Sequence, residues 1–136
     1  MATLASPYKA PDEVAAVPPI ESYRSAIEDA LVYTGGSHTF EDVVRLVEEG
    51  KMQYWPSANS VVITEILNYP QERLLNFFLV GGGNLAEIET MHDPLMEWGR
   101  LQGCTKAVMT GRAGWQRTFL TREGWEATLQ VYERAI

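Results

Sequence analysis

Apolar residues recur at helical spacing in two segments near the start of the chain. In residues 21–33, Tyr23, Ile27, Ala30 and Leu31 share one face and Gly35-Gly36 ends the pattern, which predicts a first helix. Thr39 is placed to cap a second helix, with Phe40, Val43, Val44 and Val47 on one face and Gly50 as its stop. The reading then changes to strands. Residues 51–55 and 60–67 are strand-like runs joined by Pro56, Ser57, Ala58 and Asn59, and Tyr69-Pro70-Gln71-Glu72 turns the chain again. Residues 73–80, RLLNFFLV, are the most apolar run and are expected at the centre of a sheet, where both faces need cover. Three antiparallel strands in succession are predicted. After Gly81-Gly82-Gly83, Asn84 is placed to cap a helix with Glu87 at its third position as a capping box, and Asp93-Pro94 predicts a kink or a fresh start before Gln102.

Gly103 closes that helix, and residues 106–110 form a short apolar run that reads as a buried strand. The segment GRAGWQRTFLTRE, residues 111–123, then reads as a crossing helix with Trp115, Phe119 and Leu120 as the stripe that packs on the sheet. A last strand is expected from Gly124-Trp125 to Ile136. The fold class is α/β (α+β), a mixed and mostly antiparallel sheet flanked by helices. This order of strand, helix and glycine-aromatic pair resembles the C-terminal half of the GNAT acetyltransferase fold, and the GR-GW-R segment resembles short, divergent GNAT-like proteins of tailed bacteriophages. Residues 51–136, about two thirds of the chain, follow that family's order from its second strand onward.

The family's first strand has no counterpart. Residues 1–19 are instead an Ala- and Pro-rich arm with Pro7, Pro11, Pro18 and Pro19 and no period of either kind, so the folded domain is expected to span 20–136. Such an arm buries too little to order itself, and it lies either across its own domain or on another subunit. Without a strand from the arm, residues 51–55 form an open edge unless something covers them.

With 136 residues and 46% hydrophobic content, the chain can bury a core for one domain. A formal charge of -7, from 11 basic and 18 acidic residues, disfavours nucleic acid and anionic lipid as partners. The acidic excess is uneven. Through Gly50 there are three basic residues (Lys9, Arg24, Arg45) against nine acidic ones, and from Arg100 onward six basic against three acidic, a polarity suited to an acidic partner or to other copies of the chain. Cys104 is the single cysteine, so no internal disulfide forms and a reducing compartment is expected. With neither a long apolar run nor the features of a signal peptide, the protein is expected to be soluble.

The resemblance implies a site. Working enzymes of the family hold the acetyl-CoA pyrophosphate on backbone N–H groups of a Gln/Arg-x-x-Gly-x-Gly/Ala loop at a helix start, where the helix dipole favours an anion. Here Gly81, Gly82, Gly83 and Asn84 occupy that place, in a shorter loop without its leading Gln or Arg; they serve either a cofactor or a tight strand-to-helix turn. The family's acid, a Tyr four residues before the glycine-aromatic pair, falls on Leu120, which leaves the role to Tyr132 or Tyr69 if either reaches the site. The Asn that often opens this helix is also missing, with Ala113 near its place. Glu65 is the candidate general base, acting through water, or else a solvated strand residue.

Other chemistries find little footing. His38 and His92 lie in different elements without converging ligands, so no metal is expected, and no nucleophile elbow, Walker loop or carboxylate pair is present. Arg112, Trp115, Arg117 and Arg122 form an Arg/Trp cluster of the composition found at interface centres; the competing account buries Trp115 and pairs the arginines with Glu123 or Glu126. Trp55, Trp98 and Trp125 are expected as core or sheet-edge anchors.

The reading these residues favour is a non-catalytic GNAT-like phage structural or assembly protein, in the virion or host cytoplasm, acting through contacts with other virion proteins or with itself and needing no cofactor. The alternative is an active acetyl-CoA-dependent N-acetyltransferase with a shortened phosphate loop that uses Glu65 and water. A third possibility is a regulator that binds CoA without turnover.

Overall fold

The computed structural model describes residues 17–136. The expected arm therefore lies outside the described residues except at its end, where Val17 packs on the core and the Pro18 carbonyl accepts a hydrogen bond from Tyr54 Oη at 2.6 Å.

A 3-10 turn, Ile20–Tyr23, leads into α1, Arg24–Leu31, whose Ile27 and Leu31 lie one turn apart and are both buried. A second 3-10 turn, Val32–Thr34, ends at Gly35 in the left-handed region, where a residue without Cβ carries no penalty. Next comes α2, Phe40–Glu48. Thr39 Oγ1 accepts from the Asp42 N–H at 3.1 Å and Asp42 Oδ2 accepts from the Thr39 N–H at 2.9 Å, a closed capping box that satisfies two donors of the first turn. Phe40, Val43 and Val47 face the core from this helix.

Strands β1 (Met52–Pro56), β2 (Ser60–Asn68) and β3 (Arg73–Gly82) form the antiparallel meander, and β4 (Lys106–Met109) joins β3 in parallel. The sheet order is β1-β2-β3-β4, so β3 lies between two strands as its composition predicts, and β1 is an edge strand. Helices cover both faces. On one side α1 and α2 pack with Val61, Ile63 and Leu79; on the other Val62, Leu75 and Phe77 meet α3, Leu85–Leu101. This mixed α/β architecture is the expected one.

One residue in β3 controls the geometry that follows. Ile63 pairs with Leu79 and Thr64 with Phe77, which leaves Phe78 as an unpaired bulge. The bulge shifts the inward and outward alternation: Phe77 packs toward α3, whereas Phe78 and Leu79 pack toward α1 and α2. Phe77, opposite Met109, is also the last residue of β3 that β4 reaches. Beyond it the two parallel strands part.

Helix α3 packs on the sheet through Ile88, Met91 and Leu95, and Gly99 lets it approach closely, since a Cβ there would lie 2.8 Å from Leu75 Cδ2. The fresh start expected as one outcome at Pro94 does not occur. The helix runs through this exposed proline, which supplies no N–H to the Thr90 carbonyl; burial of Ile88, Met91 and Leu95 on either side holds the helix together. The capping box expected at Asn84 is half formed: Asn84 Oδ1 accepts from the Glu87 N–H at 3.2 Å, but the Glu87 carboxylate turns to the Asn59 N–H and Nδ2 at 2.8 and 2.9 Å.

Two further expectations are corrected in the last quarter of the chain. Residues 111–123 do not form a crossing helix but two short 3-10 turns, Ala113–Arg117 and Thr121–Glu123. Hydroxyls compete there with helical bonding: Thr118 Oγ1 donates to the Trp115 carbonyl at 2.7 Å and Thr121 Oγ1 to that of Gln116 at 2.8 Å. The predicted stripe nevertheless packs as expected, with Phe119 and Leu120 buried beside Trp115. The strand expected from Gly124 to Ile136 joins no sheet among the described residues, and the chain after Trp125 runs on without regular structure.

Candidate functional site

Where β3 and β4 part, a cleft of ≈1100 Å³ opens on the α1 side of the sheet. Its floor is the bulged half of β3, its walls are the end of α1 with Tyr33 and Thr34 on one side and Met109–Arg112 on the other, and Gly81–Gly83 form its rim. Glu65 and Asn76 sit in the floor, opposite each other across β2 and β3, with Asn76 Nδ2 donating to Glu65 Oε2 at 2.8 Å. Asp29, Glu65 and Glu133 line the cleft with Arg112 as the one cation among its described lining residues. The lining is therefore biased toward negative charge.

Arg112 spans this opening. Its guanidinium carbon stands 4.2 Å from the centroid of the Tyr33 ring and Nη1 donates to Tyr33 Oη at 3.3 Å, which joins the chain after β4 to the turn after α1. Tyr33 was not singled out in the sequence. The signal available was an aromatic residue just ahead of the Gly35-Gly36 pair that ends the first helix.

At the rim the three glycines have different reasons. A Cβ on Gly81 would lie 2.8 Å from the Ala26 carbonyl oxygen, and Gly82 has φ +95° with a virtual Cβ 2.3 Å from the Asn59 oxygen, so packing accounts for both. Gly83 faces open space. From Gly83 through Ala86 the backbone N–H groups find no backbone acceptor among the described residues, and these groups open a helix of 17 residues. Glu87 in this first turn opposes an anion, but its charge is engaged elsewhere. Burial raises its carboxyl, and hydrogen bonds from the Asn59 backbone and side chain, with Ser57 and Ser60, outweigh that and hold it below the usual range.

On the opposite, α3 side of the splay there is almost no room. Phe77, Val80, His92, Trp115, Phe119 and Trp125 help to enclose a void of only ≈20 Å³. Leu120, at the family's acid position, also lines this void and is buried. Tyr132 is exposed, with its hydroxyl on Gln130, and Tyr69 lies in the β2–β3 turn at the end of the hairpin away from the glycines, so neither substitute for the acid reaches the cleft. Glu65 and Gly81–Gly83 are brought to one cavity; Tyr132 is not.

The Arg/Trp cluster is dispersed. Arg112 goes to Tyr33, Arg122 bonds to Glu89 on α3 rather than to Glu123 or Glu126, Arg117 is exposed, and Trp115 packs half-buried between the cleft and the small void. Cys104 packs against the α3-side core, and burial pushes its thiol up although Arg73 pulls the other way.

His92, Asp93 and Glu123 do place ligand-type atoms within 4.8 Å of one another. The histidine is nonetheless committed. Trp125 Nε1 can only donate, and it donates to His92 Nε2 at 2.9 Å; the ring proton is then on Nδ1, facing Asp93 Oδ1 at 3.0 Å, with no lone pair left there for a metal. This group ties the segment after β4 to α3.

At the level of sequence, no protein-family model and no curated protein matches the chain. Solved structures do match its shape. A Trypanosoma brucei acetyltransferase aligns over 85% of this chain and 94% of its own with a TM-score of 0.59 at 12% identity. An aminoglycoside N-acetyltransferase in complex with CoA covers 85% of this chain and 90% of its own, with a TM-score of 0.58 at 10% identity, and a Bacillus halodurans protein gives 0.58 at 9% over 86% and 95%. The fold is the GNAT-like one that the chain's order of elements resembles. The expectation of a non-catalytic virion protein is corrected by the same findings: two of the structures sharing the fold are acetyltransferases by name, one of them in complex with CoA. That expectation rested on eroded loop and acid positions, but a wide cleft is retained beside them.

Proposed function

We propose that the protein is an acetyl-CoA-dependent N-acetyltransferase with a shortened phosphate loop. The observation that carries the reading is the parting of β3 and β4 after Phe77, which opens a cleft of ≈1100 Å³ with a helix N-terminus at its rim. The structural neighbours that are acetyltransferases, including the one in complex with CoA, support it at the level of shape.

The residues present fit the cofactor in part. Free backbone donors from Gly83 to Ala86 at the start of α3 suit a pyrophosphate, and the unpaired edge of β3 after Phe77 offers backbone groups to an extended amide-bearing arm. When bound, acetyl-CoA supplies the activated acetyl group. The chain's own part is to bind and deprotonate the acceptor: Asp29, Glu65 and Glu133 favour a cationic amine in the cleft, and Glu65, oriented by Asn76, takes its proton through water. Tyr33, the tyrosine among the described lining residues, brings a hydroxyl to the cleft in place of the acid missing at Leu120.

Acetyl-CoA in a thermal melt tests the proposal, because a ligand bound only by the native state at 100 times its Kd adds about 2.7 kcal/mol. The midpoint should rise, and Gly83→Glu, which adds a carboxylate where a side chain has room, should abolish the rise and leave the unliganded midpoint in place. No rise with acetyl-CoA, together with no release of free thiol in the presence of a panel of amines, would overturn it.

A further inference from the structure

The charged side chains that line the cleft fall into two groups. Glu65 sits in the floor, where Asn76 Nδ2 donates to it at 2.8 Å. Asp29, Arg112 and Glu133 stand instead around Tyr33 at the α1 wall. Asp29 is one turn ahead of Tyr33, Arg112 stacks on the Tyr33 ring, and Glu133 Oε2 lies 3.6 Å from a Cβ built on Gly35. The floor thus offers a carboxylate, and the wall offers both signs of charge.

The wall charges are not neutralised by one another. Arg24, Arg45, Arg100 and Arg122 each pair with a carboxylate, whereas Arg112, Asp29 and Glu133 form no ion pair with a described residue. Among the described residues Arg112 uses only Nη1, on Tyr33 Oη at 3.3 Å, and a guanidinium stacked on a ring keeps the edge of its fork free for a planar anion. A carbon that bears both an ammonium and a carboxylate suits such a wall: the carboxylate meets the Arg112 fork and the ammonium meets Asp29 and Glu133. A ligand with those two charges alone is neutral, in a cleft where three carboxylates oppose one guanidinium. A second ammonium, directed at Glu65, restores the balance.

We propose that the acceptor is a free diamino acid of the lysine or ornithine type, held by its α-carbon head at Asp29, Arg112 and Glu133 with its distal amine at Glu65. The assignment rests on the acetyl-transfer reading and gives Arg112 the part of selecting the acceptor. The distal ammonium passes one proton through water to Glu65. Its nitrogen then bonds to the acetyl carbonyl carbon of acetyl-CoA as the C–S bond breaks, and the nitrogen's second proton goes to the leaving thiolate. The products are the side-chain amide, the free thiol of CoA and one released proton.

Titration calorimetry on the full chain with CoA in excess should show L-lysine binding about tenfold or more tighter than cadaverine, which lacks the carboxylate, and than ε-aminocaproate, which lacks the α-amine. Arg112→Gln should move the lysine-to-cadaverine ratio toward one. The double variant Asp29→Asn/Glu133→Gln should do the same to the lysine-to-ε-aminocaproate ratio. All three positions are exposed, so both proteins should keep the original melting midpoint. With acetyl-CoA, thiol release should follow the same order of amines. Lysine and cadaverine bound alike, or both weakened alike by Arg112→Gln, overturns the proposal. Weaker binding of CoA itself in Arg112→Gln overturns it too, because the guanidinium then serves a phosphate. Lysine bound through Arg112 with no thiol released upholds the diamino-acid site and overturns the acetyl-transfer reading by itself.

Discussion

At the scale of single residues, the three glycines at the rim of the cleft separate structure from function. Gly82→Ala should destabilise the protein by about 2 kcal/mol or more in urea denaturation, because φ is +95° and the new Cβ collides with the Asn59 carbonyl. Gly83→Ala should leave stability within about 1 kcal/mol of the original or slightly above it, since nothing lies near its Cβ and an unfolded chain loses freedom. Glu65→Gln keeps the hydrogen-bonding shape and removes the base, so kcat should fall about 100-fold under the proposed chemistry, with the melt unchanged; an unaltered rate would exclude Glu65 from that role. Glu65 was legible in the sequence because strand alternation and the neighbouring hairpin already placed it on a face. Tyr33 was not, because its partner Arg112 is 79 positions away and only packing joins them.

At the scale of elements, local codes worked where they were self-contained and failed where a distant surface decided. The Thr39 box forms because both of its members lie within one turn. Asp42 is held below the usual aspartate range by the bond from the Thr39 N–H, then by the Thr39 side chain and Arg45. A carboxyl depressed in the folded state stabilises above its unfolded value and loses that contribution as pH falls through the folded value. Stability measured by urea melts should therefore drop on the acid side of the aspartate range, and Asp42→Asn should flatten that drop. Helix α3 shows the opposite case. A proline that predicts a break is carried through because burial on both sides outweighs one lost hydrogen bond. Pro94→Ala should accordingly stabilise the protein by about 2 kcal/mol in the same melts, the gain of a helical bond less the freedom returned to the unfolded chain.

At the scale of the whole molecule, the chain itself determined the order of helices and strands as far as β4, the central place of β3, the turn positions and the apolar faces, because each depends on periods and caps within a few residues of one another. These were enough to indicate the GNAT-like fold that the solved structures share. Only the tertiary structure decided where β3 and β4 part, that Phe78 is the bulge at that point, that Trp115, Phe119, Leu120 and Trp125 fill the α3 side and leave room on the α1 side, and that residues 126–136 find no partner strand among the described residues. Those outcomes are set by register and by volume competition between segments far apart in sequence. A local pattern specifies which face of an element is apolar; which neighbour fills the space over that face is a property of the assembled core.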